Sequence, residues 1–456
     1  MKVAFKINNS EDVILNPIQN LNKGENIYDL INEDNEVWME VSLINNSFKV
    51  NSKKSEIVES EIELQEKLDN LVLEVIEKEQ SGTENTETVE TSINPYNPDS
   101  IKVLTKHFNL TLIFDMIVAG YIDLSPDFQR NFVWDNVQKS RLIESILLRI
   151  PLPMFYFSED EEGLITVVDG LQRLTTIKEF MDNKFPLRKL EYLKDSCEGR
   201  YYKDDVSNNL KGIDAKYLRW FNMTQFTVNV IDPTSPAKVK YDIFRRINTG
   251  GKPLNNQEIR NCLASKSLRK TLQEMVKLNE FKTATLNSIK STRMEDQEVA
   301  LRFIGFYLYY QEDKQLNNYN GNIEASLDDL VEQLSKYKED TLKVYISLFS
   351  KAMLNSQYLL GRYAFRKILP QHLNSYGNKL LINKALFVSC SVLLSQYDPE
   401  IIKQKNPEKI LASPLADSIG VYDEFYYYLS YGTNAKANLQ FVFKEMENLI
   451  KKTLSF

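Results

Sequence analysis

The stretch "SGTENTETVETS" at residues 81–92 holds a single apolar side chain, Val89, among small and acidic ones. A segment that cannot bury apolar surface cannot run through a core, so it reads as a flexible linker. The chain must therefore fold separately on either side of it. Its 456 residues also exceed what one core usually holds, and two or three domains are expected. The expected organisation is an accessory module at 1–80, the linker at 81–92, a core at 93–262 and a helical domain at 263–456.

Charge divides at the same place. Residues 1–92 carry 8 Lys/Arg against 20 Asp/Glu, and the remainder 48 against 43. The net charge of −7 thus originates in the first segment, and the rest can tolerate a polyanionic partner. No uncharged apolar run reaches the ~18 residues of a membrane span, so no membrane partner is expected. The opening "MKVAFKINNSEDVI" lacks the apolar centre of a signal peptide, and a cytoplasmic location is expected. Cys197, Cys262 and Cys390 are isolated, which argues against a disulfide framework or a Cys-based zinc site.

In the first module "VAFKI", "VWMEVSLI" and "SFKVN" alternate like strands, and a helical pattern runs from about Ser55 to Gln80. After the linker, "LTLIFDMIVAG" predicts a helix that ends at Gly120. A second helix is expected from about Asn136 to Arg149, capped by Asp135, with Leu142, Ile143, Ile146, Leu147 and Ile150 buried. "MFYFS" and "LITVVDG", joined by the acidic "EDEEG", predict a β-hairpin. "FTVNVID" reads as a strand and "AKVKYDIFRRIN" as a helix closing on Gly250-Gly251. Asn255, with Glu258 three residues on, reads as the capping box of the next helix. Mostly helical periodicity follows from about Leu263. The fold class is therefore α+β, a mixed core followed by a mainly helical domain.

Three stretches carry candidate chemistry. In "VVDGLQRLTTI" a buried strand turns at Asp169-Gly170 into a helix whose Leu171, Leu174, Ile177, Phe180 and Met181 share a face. Gln172 and Thr176 fall opposite, and Arg173 sits beside the free N–H groups of the helix start. Such a start favours anions, and an arginine fork suits phosphate oxygens. Asp169 suits Mg²⁺, a water or a ribose hydroxyl. The same letters also allow Asp169 as a helix cap, Gly170 as a turn residue and Arg173 as solvated surface. In "PDFQRNFVW", Gln129-Arg130 lie between aromatic residues, as an oriented guanidinium or as an amphipathic loop anchored by Phe128, Phe132 and Trp134. "FRRINTGGKPLNNQEIRN" puts Arg245 and Arg246 in a helix's last turn, where they complement its dipole. Gly250-Gly251 after them would let backbone approach a phosphate closely, but no Walker A motif is present.

Absences narrow the chemistry. The two histidines, His107 and His372, have no partner near them in sequence, so neither a His-x-x-His pair nor an HNH cluster can be built. No G-x-S-x-G elbow occurs.

Taken in order, "IDLSPDFQRNFVW", "LIESILLRIPLPMFYF", "VVDGLQRLTTI" and "IFRRINTGGKPLNNQEIRN" resemble the N-terminal domain of GmrSD-type modification-dependent restriction systems, over roughly residues 93–390, including "GRYAFRKI". That domain belongs to the ParB/sulfiredoxin-like superfamily. The resemblance implies a ParB/sulfiredoxin-like core that binds and hydrolyses a nucleoside triphosphate with Mg²⁺, in bacterial defence against phage DNA. The family's D-G-Q-Q-R motif is matched by Asp169, Gly170, Gln172 and Arg173, with Leu171 in place of the first Gln. The resemblance implies catalytic roles for Asp169, Gln172 and Arg173, with Asp169 also toward the metal. It implies nucleotide contacts for Gln129, Arg130, Gly170, Thr176, Arg246, Asn248 and Thr249. The implied partners are a nucleoside triphosphate, DNA, and a separate nuclease or other defence subunit, with a homo-oligomer left open. Without HNH histidines, DNA cleavage by this chain alone is not expected. Two further readings stay open: a non-catalytic nucleotide- or DNA-sensing module, and a metal-dependent DNA nuclease.

Overall fold

A computed structural model of the protein describes residues 3–8, 12–20, 23–24, 26–32, 36–44, 47–81, 102–124, 134–160, 162–247, 254–374, 380–421, 423–430 and 432–455. Residues 94–264 form one compact unit, and residues 1–93 with 265–456 form another.

The first residues build a five-stranded antiparallel meander of β1 (Val3–Lys6), β2 (Asp12–Gln19), β3 (Ile27–Ile31), β4 (Val37–Ile44) and β5 (Ser47–Lys53). Helix α1 (Glu61–Ser81) follows, and Phe5, Leu15, Tyr28, Val41, Phe48, Leu68, Val72 and Val75 share one core. The three expected strands are present, and β2 and β3 are additional. Their burial is concentrated at one end or runs continuously, so the period-2 alternation that marks a half-buried strand is weak. The linker at 82–92 lies outside the described residues, and Ser81 still belongs to α1.

The second unit is built on a mixed sheet of β6 (Val103–Asn109), β7 (Ile122–Asp123), β8 (Phe155–Glu159), β9 (Ile165–Asp169) and β10 (Gln225–Ile231), in the order β6-β10-β8-β9-β7. The β8–β9 and β6–β10 pairs are antiparallel, whereas β10–β8 and β7–β9 are parallel. Its helices are α2 (Leu110–Val118), α3 (Asn136–Leu147), α4 (Leu171–Met181), α5 (Lys194–Cys197), α6 (Ala215–Met223), α7 (Ala237–Ile247) and α8 (Asn256–Leu263). Phe155, Phe157, Val167, Val168, Val228 and Val230 are each at most 1% exposed, which makes the β10–β8–β9 centre the core of the unit.

Local signals place these elements. Asp135 caps α3 in a full capping box with Gln138, and Asn255 caps α8 with Glu258 in the same way. Gly120, at φ +80°, ends the α2 turn. One expected core residue is not buried: Ile150 is 50% exposed, because α3 already ends at Leu147 and Arg149 leaves the helix with φ 60°. α3 also ties down the loop that follows α4. The Glu144 carboxylate, 3% exposed, accepts from the backbone N–H groups of Glu191, Tyr192 and Leu193, at 2.7–3.1 Å.

Beyond residue 264 the described elements are helical: α9 (Lys266–Lys277), α10 (Asn279–Thr285), α11 (Glu295–Glu312), α12 (Ile323–Ser335), α13 (Glu339–Leu360), α14 (Lys384–Leu394), α15 (Pro399–Lys405), α16 (Ala412–Val421), α17 (Asp423–Ser430) and α18 (Lys436–Thr453), with short 3₁₀ turns between. Within it α14 is buried along its whole length. Its Lys384 reaches Glu298 at 2.8 Å and Glu295 at 3.3 Å on α11, so the buried ammonium is paired. The chain is thus a mixed α/β protein with an N-terminal antiparallel sheet and a mostly helical C-terminal region.

Candidate functional site

The junction between β9 and α4 brings together five of the expected site residues. Val167 and Val168 are fully buried, and Asp169, the last residue of β9, lies opposite Tyr156 of β8. Gly170 follows at φ +100°, in the left-handed region. A side chain could not be accommodated there: a Cβ would stand 2.3 Å from Phe155 Cδ1 and 3.2 Å from Arg173 Nη2. No side chain caps α4, so its first N–H groups are left to other partners. Asp169 is accordingly not a helix cap.

Asp169 instead binds Arg173. Arg173 Nη2 donates to Asp169 Oδ2 at 2.8 Å and to the carbonyl of Met154 at 3.3 Å. Nη1 donates to the carbonyl of Pro153, and the guanidinium lies 4.3 Å from the centre of the Phe155 ring. Arginine has five N–H donors, so Nε–H and one Nη1–H remain. The Arg173 side chain is 12% exposed and that of Asp169 38%. Burial pulls the guanidinium below its ordinary pKa, and the charge and hydrogen bond of Asp169 oppose that shift. Arg173 is therefore fixed against β8 by two carbonyls and a ring, and its charge is matched by one half-exposed carboxylate.

The rest of the α4 surface differs from the wheel expectation. Leu171, Leu174, Ile177 and Phe180 are buried as expected, but Thr176, expected on the polar side with Gln172, has no exposed surface. Met181 is only partly buried. At about 100° per residue the buried arc runs from Thr176 through Phe180, Ile177 and Leu174 to Leu171, more than half the circumference. Partly buried Gln172 and fully buried Thr176 share an unusual property: Gln172 Oε1 and Thr176 Oγ1 are both shielded from solvent and have no hydrogen-bond partner.

Arg246 is exposed in the last turn of α7, and its neighbour Arg245 holds a buried Nε without a partner. Gln129, Arg130, Asn248 and Thr249 lie outside the described residues. One residue that sequence reasoning missed is Gln257 of α8, the helix that packs against α7 and β9. Gln257 is 1% exposed, and its Oε1 has no donor. The available signal was the run "NQEIRN", which is almost wholly polar and yet buried along α8.

A resident metal is not favoured by these side chains. Among the described residues no three His, Cys, Asp or Glu side chains converge, and Asp169 is already bound to a guanidinium. One such carboxylate suits an Mg²⁺ ion that arrives on a phosphate ligand rather than one held by the protein alone. His107 is exposed beside Thr227, and His372 is buried, with Nδ1 accepting from the Leu369 N–H at 3.0 Å. The three cysteines are buried and in no disulfide, Cys262 donates to the Glu258 carbonyl at 3.1 Å, and burial pushes the Cys197 thiol up to about 11. None of these fits an activated nucleophile.

Among the described residues no helix is long and apolar enough to cross a membrane. No curated protein and no solved structure matches the chain. Residues 110–265 match the family model described as GmrSD restriction endonuclease, N-terminal domain. The match spans β7–β10 and α2–α8 entire, includes the β9–α4 junction, and stops short of "GRYAFRKI" at 361–368. Residues 110–265 are thus similar to the N-terminal domain of GmrSD restriction endonucleases, a family of restriction and anti-phage defence, and the match covers about a third of the chain.

Proposed function

We propose that the unit at 94–264 binds a nucleoside triphosphate at the β9–α4 junction and hydrolyses it, and that this step is coupled to DNA engagement in phage defence. The observation that carries this reading is the Asp169–Arg173 pair. Arg173 keeps its position through Pro153, Met154 and Phe155 even if Asp169 lets go. A phosphate can therefore exchange with the Asp169 carboxylate on the guanidinium, anion for anion. The uncapped start of α4 adds N–H donors and the positive end of the helix dipole.

The released Asp169 would orient a water on the terminal phosphorus. The water oxygen bonds to that phosphorus, the bond to the bridging oxygen breaks, and Asp169 takes the water's proton. Arg173 and the Mg²⁺ carried by the triphosphate offset the charge that develops. Gln172 would orient the nucleotide. Gln129, Arg130, Arg246, Asn248 and Thr249 are proposed as outer contacts to the nucleotide. The excess of basic residues beyond residue 92 supports a DNA partner, and cutting that DNA would fall to a separate nuclease or defence subunit.

The test is a hydrolysis panel of ATP, GTP, CTP and UTP with Mg²⁺, with and without DNA, on the whole chain and on Asp169→Asn. Turnover of at least one nucleotide, lost in Asp169→Asn, is expected. Binding without turnover would replace hydrolysis by a sensing role, and metal-dependent DNA nicking that requires Asp169 would establish a nuclease instead.

A further inference from the structure

Three buried oxygens in the unit at 94–264 have no hydrogen-bond partner: Gln172 Oε1 and Thr176 Oγ1 on α4, and Gln257 Oε1 on α8. Buried polar atoms in folded proteins are nearly always partnered, so each exception asks for a reason. Gln172 and Thr176 are one turn apart, about 6 Å along the helix axis. Gln257 belongs to the helix packed against β9, the strand that leads into α4.

Gln257 Nε2 donates to Asn261 Oδ1 at 3.2 Å, so the amide is held by its nitrogen while its oxygen stays without a partner. Thr176 does not use the common escape, since its hydroxyl makes no bond to a carbonyl of the preceding turn. On α7, which packs against α8, Arg245 Nε is likewise buried and unpartnered.

We infer that Gln172, Thr176 and Gln257 form a preorganised polar wall that takes the donor-bearing end of the nucleotide, its ribose hydroxyls or base N–H groups. This inference rests on the phosphate reading of the β9–α4 junction, and it supplies what that reading lacks. Arg173 and the α4 start recognise phosphate alone and would take any polyphosphate. The two amide oxygens can only accept, so they select a ligand that brings O–H or N–H groups, and the Thr176 hydroxyl can accept beside them. Thr176 and Gln257 are thus binding residues held at the expense of stability.

The consequence is a trade-off that a structural role would not give. Thr176→Val removes an unsatisfied hydroxyl at nearly constant shape, and it should raise the melting temperature by about 2–4 °C. The same variant should bind nucleotide worse. The experiment is calorimetric titration of the whole chain with inorganic tripolyphosphate, with the preferred nucleoside triphosphate and with its 2′-deoxy form, each with Mg²⁺. Wild type should bind the nucleotide at least about tenfold more tightly than tripolyphosphate. Thr176→Val and Gln257→Met should close that gap while their tripolyphosphate affinity stays within about twofold of wild type. A deoxynucleotide that falls to the level of tripolyphosphate would make the sugar the donor, and one that does not would make it the base.

If wild type binds tripolyphosphate and nucleotide alike, the wall is not a binding surface and this inference fails while the phosphate site stands. The same holds if Thr176→Val lowers the melting temperature and leaves the gap intact. If neither ligand binds wild type, the phosphate reading itself fails, and this inference with it. Should Gln257→Met not fold, Thr176→Val alone decides.

Discussion

Arg173 Nη2 donates to Asp169 Oδ2 at 2.8 Å across the turn made by Gly170, so the last residue of β9 and the third residue of α4 close the strand-to-helix junction on itself. The pair is the hinge of the functional reading, because either side can be exchanged for a ligand only if the other stays in place.

Arg173→Lys should separate charge from geometry. Lysine keeps the positive charge but cannot reach two carbonyls, a carboxylate and the Phe155 face together. The expected result in urea denaturation is a loss of about 1–3 kcal/mol, from the lost guanidinium hydrogen bonds to the carbonyls of Pro153 and Met154. A variant as stable as wild type would mean that the clasp to β8 carries no load.

Gly170→Ala should be worse than its size suggests. A Cβ at 2.3 Å from Phe155 Cδ1 must displace a ring that is itself 1% exposed, and φ +100° disfavours any L side chain. Overpacking alone typically costs about 1–3 kcal/mol, and the backbone strain adds to it. Loss of more than about 2 kcal/mol, measured as a lower denaturation midpoint, is expected.

How much of this was legible beforehand follows range. Asp135 with Gln138 and Asn255 with Glu258 are signals within four residues, and both helix starts stand where those letters put them. The β8–β9 hairpin was readable because alternating apolar runs flank one acidic turn. Strand β6 was not: apart from half-buried Lys106 and Phe108 its residues are exposed, so its sequence carries no burial pattern, and only pairing with β10, more than a hundred residues away, makes it a strand. The carbonyl partners of Arg173 lie about twenty residues upstream for the same reason. Thr176 misled the wheel because a periodicity argument assigns a polar letter to the polar side, and here the buried arc is wider than the apolar letters imply.

Glu144→Ala should unlatch the loop that follows α4. The carboxylate is 3% exposed and holds three successive N–H groups, at residues 191–193. Its removal takes the shared acceptor from three N–H groups, and a loss of about 1–3 kcal/mol is expected in equilibrium unfolding. Hydrogen exchange should locate the effect at 188–193 and leave the centre of the sheet protected.

Asp296 gives a prediction with a definite sign in pH. Burial raises its carboxyl from 3.8 to about 6. A carboxyl raised in the folded state is still protonated there while it has already ionised in the unfolded chain. Stability therefore falls as pH rises between about 4 and 6 and stays low above that window. Asp296→Asn should remove the slope and make the protein more stable than wild type at pH 7, by roughly 3 kcal/mol from a shift of about two pKa units. Thermal melts of both proteins from pH 4 to 8 check this, and parallel curves would contradict it.

The central claim, a nucleoside triphosphate held by Arg173 at the β9–α4 junction, is most directly tested by calorimetric titration of the whole chain with each Mg²⁺-loaded triphosphate. Wild type is compared with Arg173→Ala after both are shown to be folded. At least one nucleotide should bind wild type with one site per chain and should bind Arg173→Ala at least about tenfold more weakly. Equal affinity in the two proteins, or no binding of any nucleotide by wild type, would contradict it.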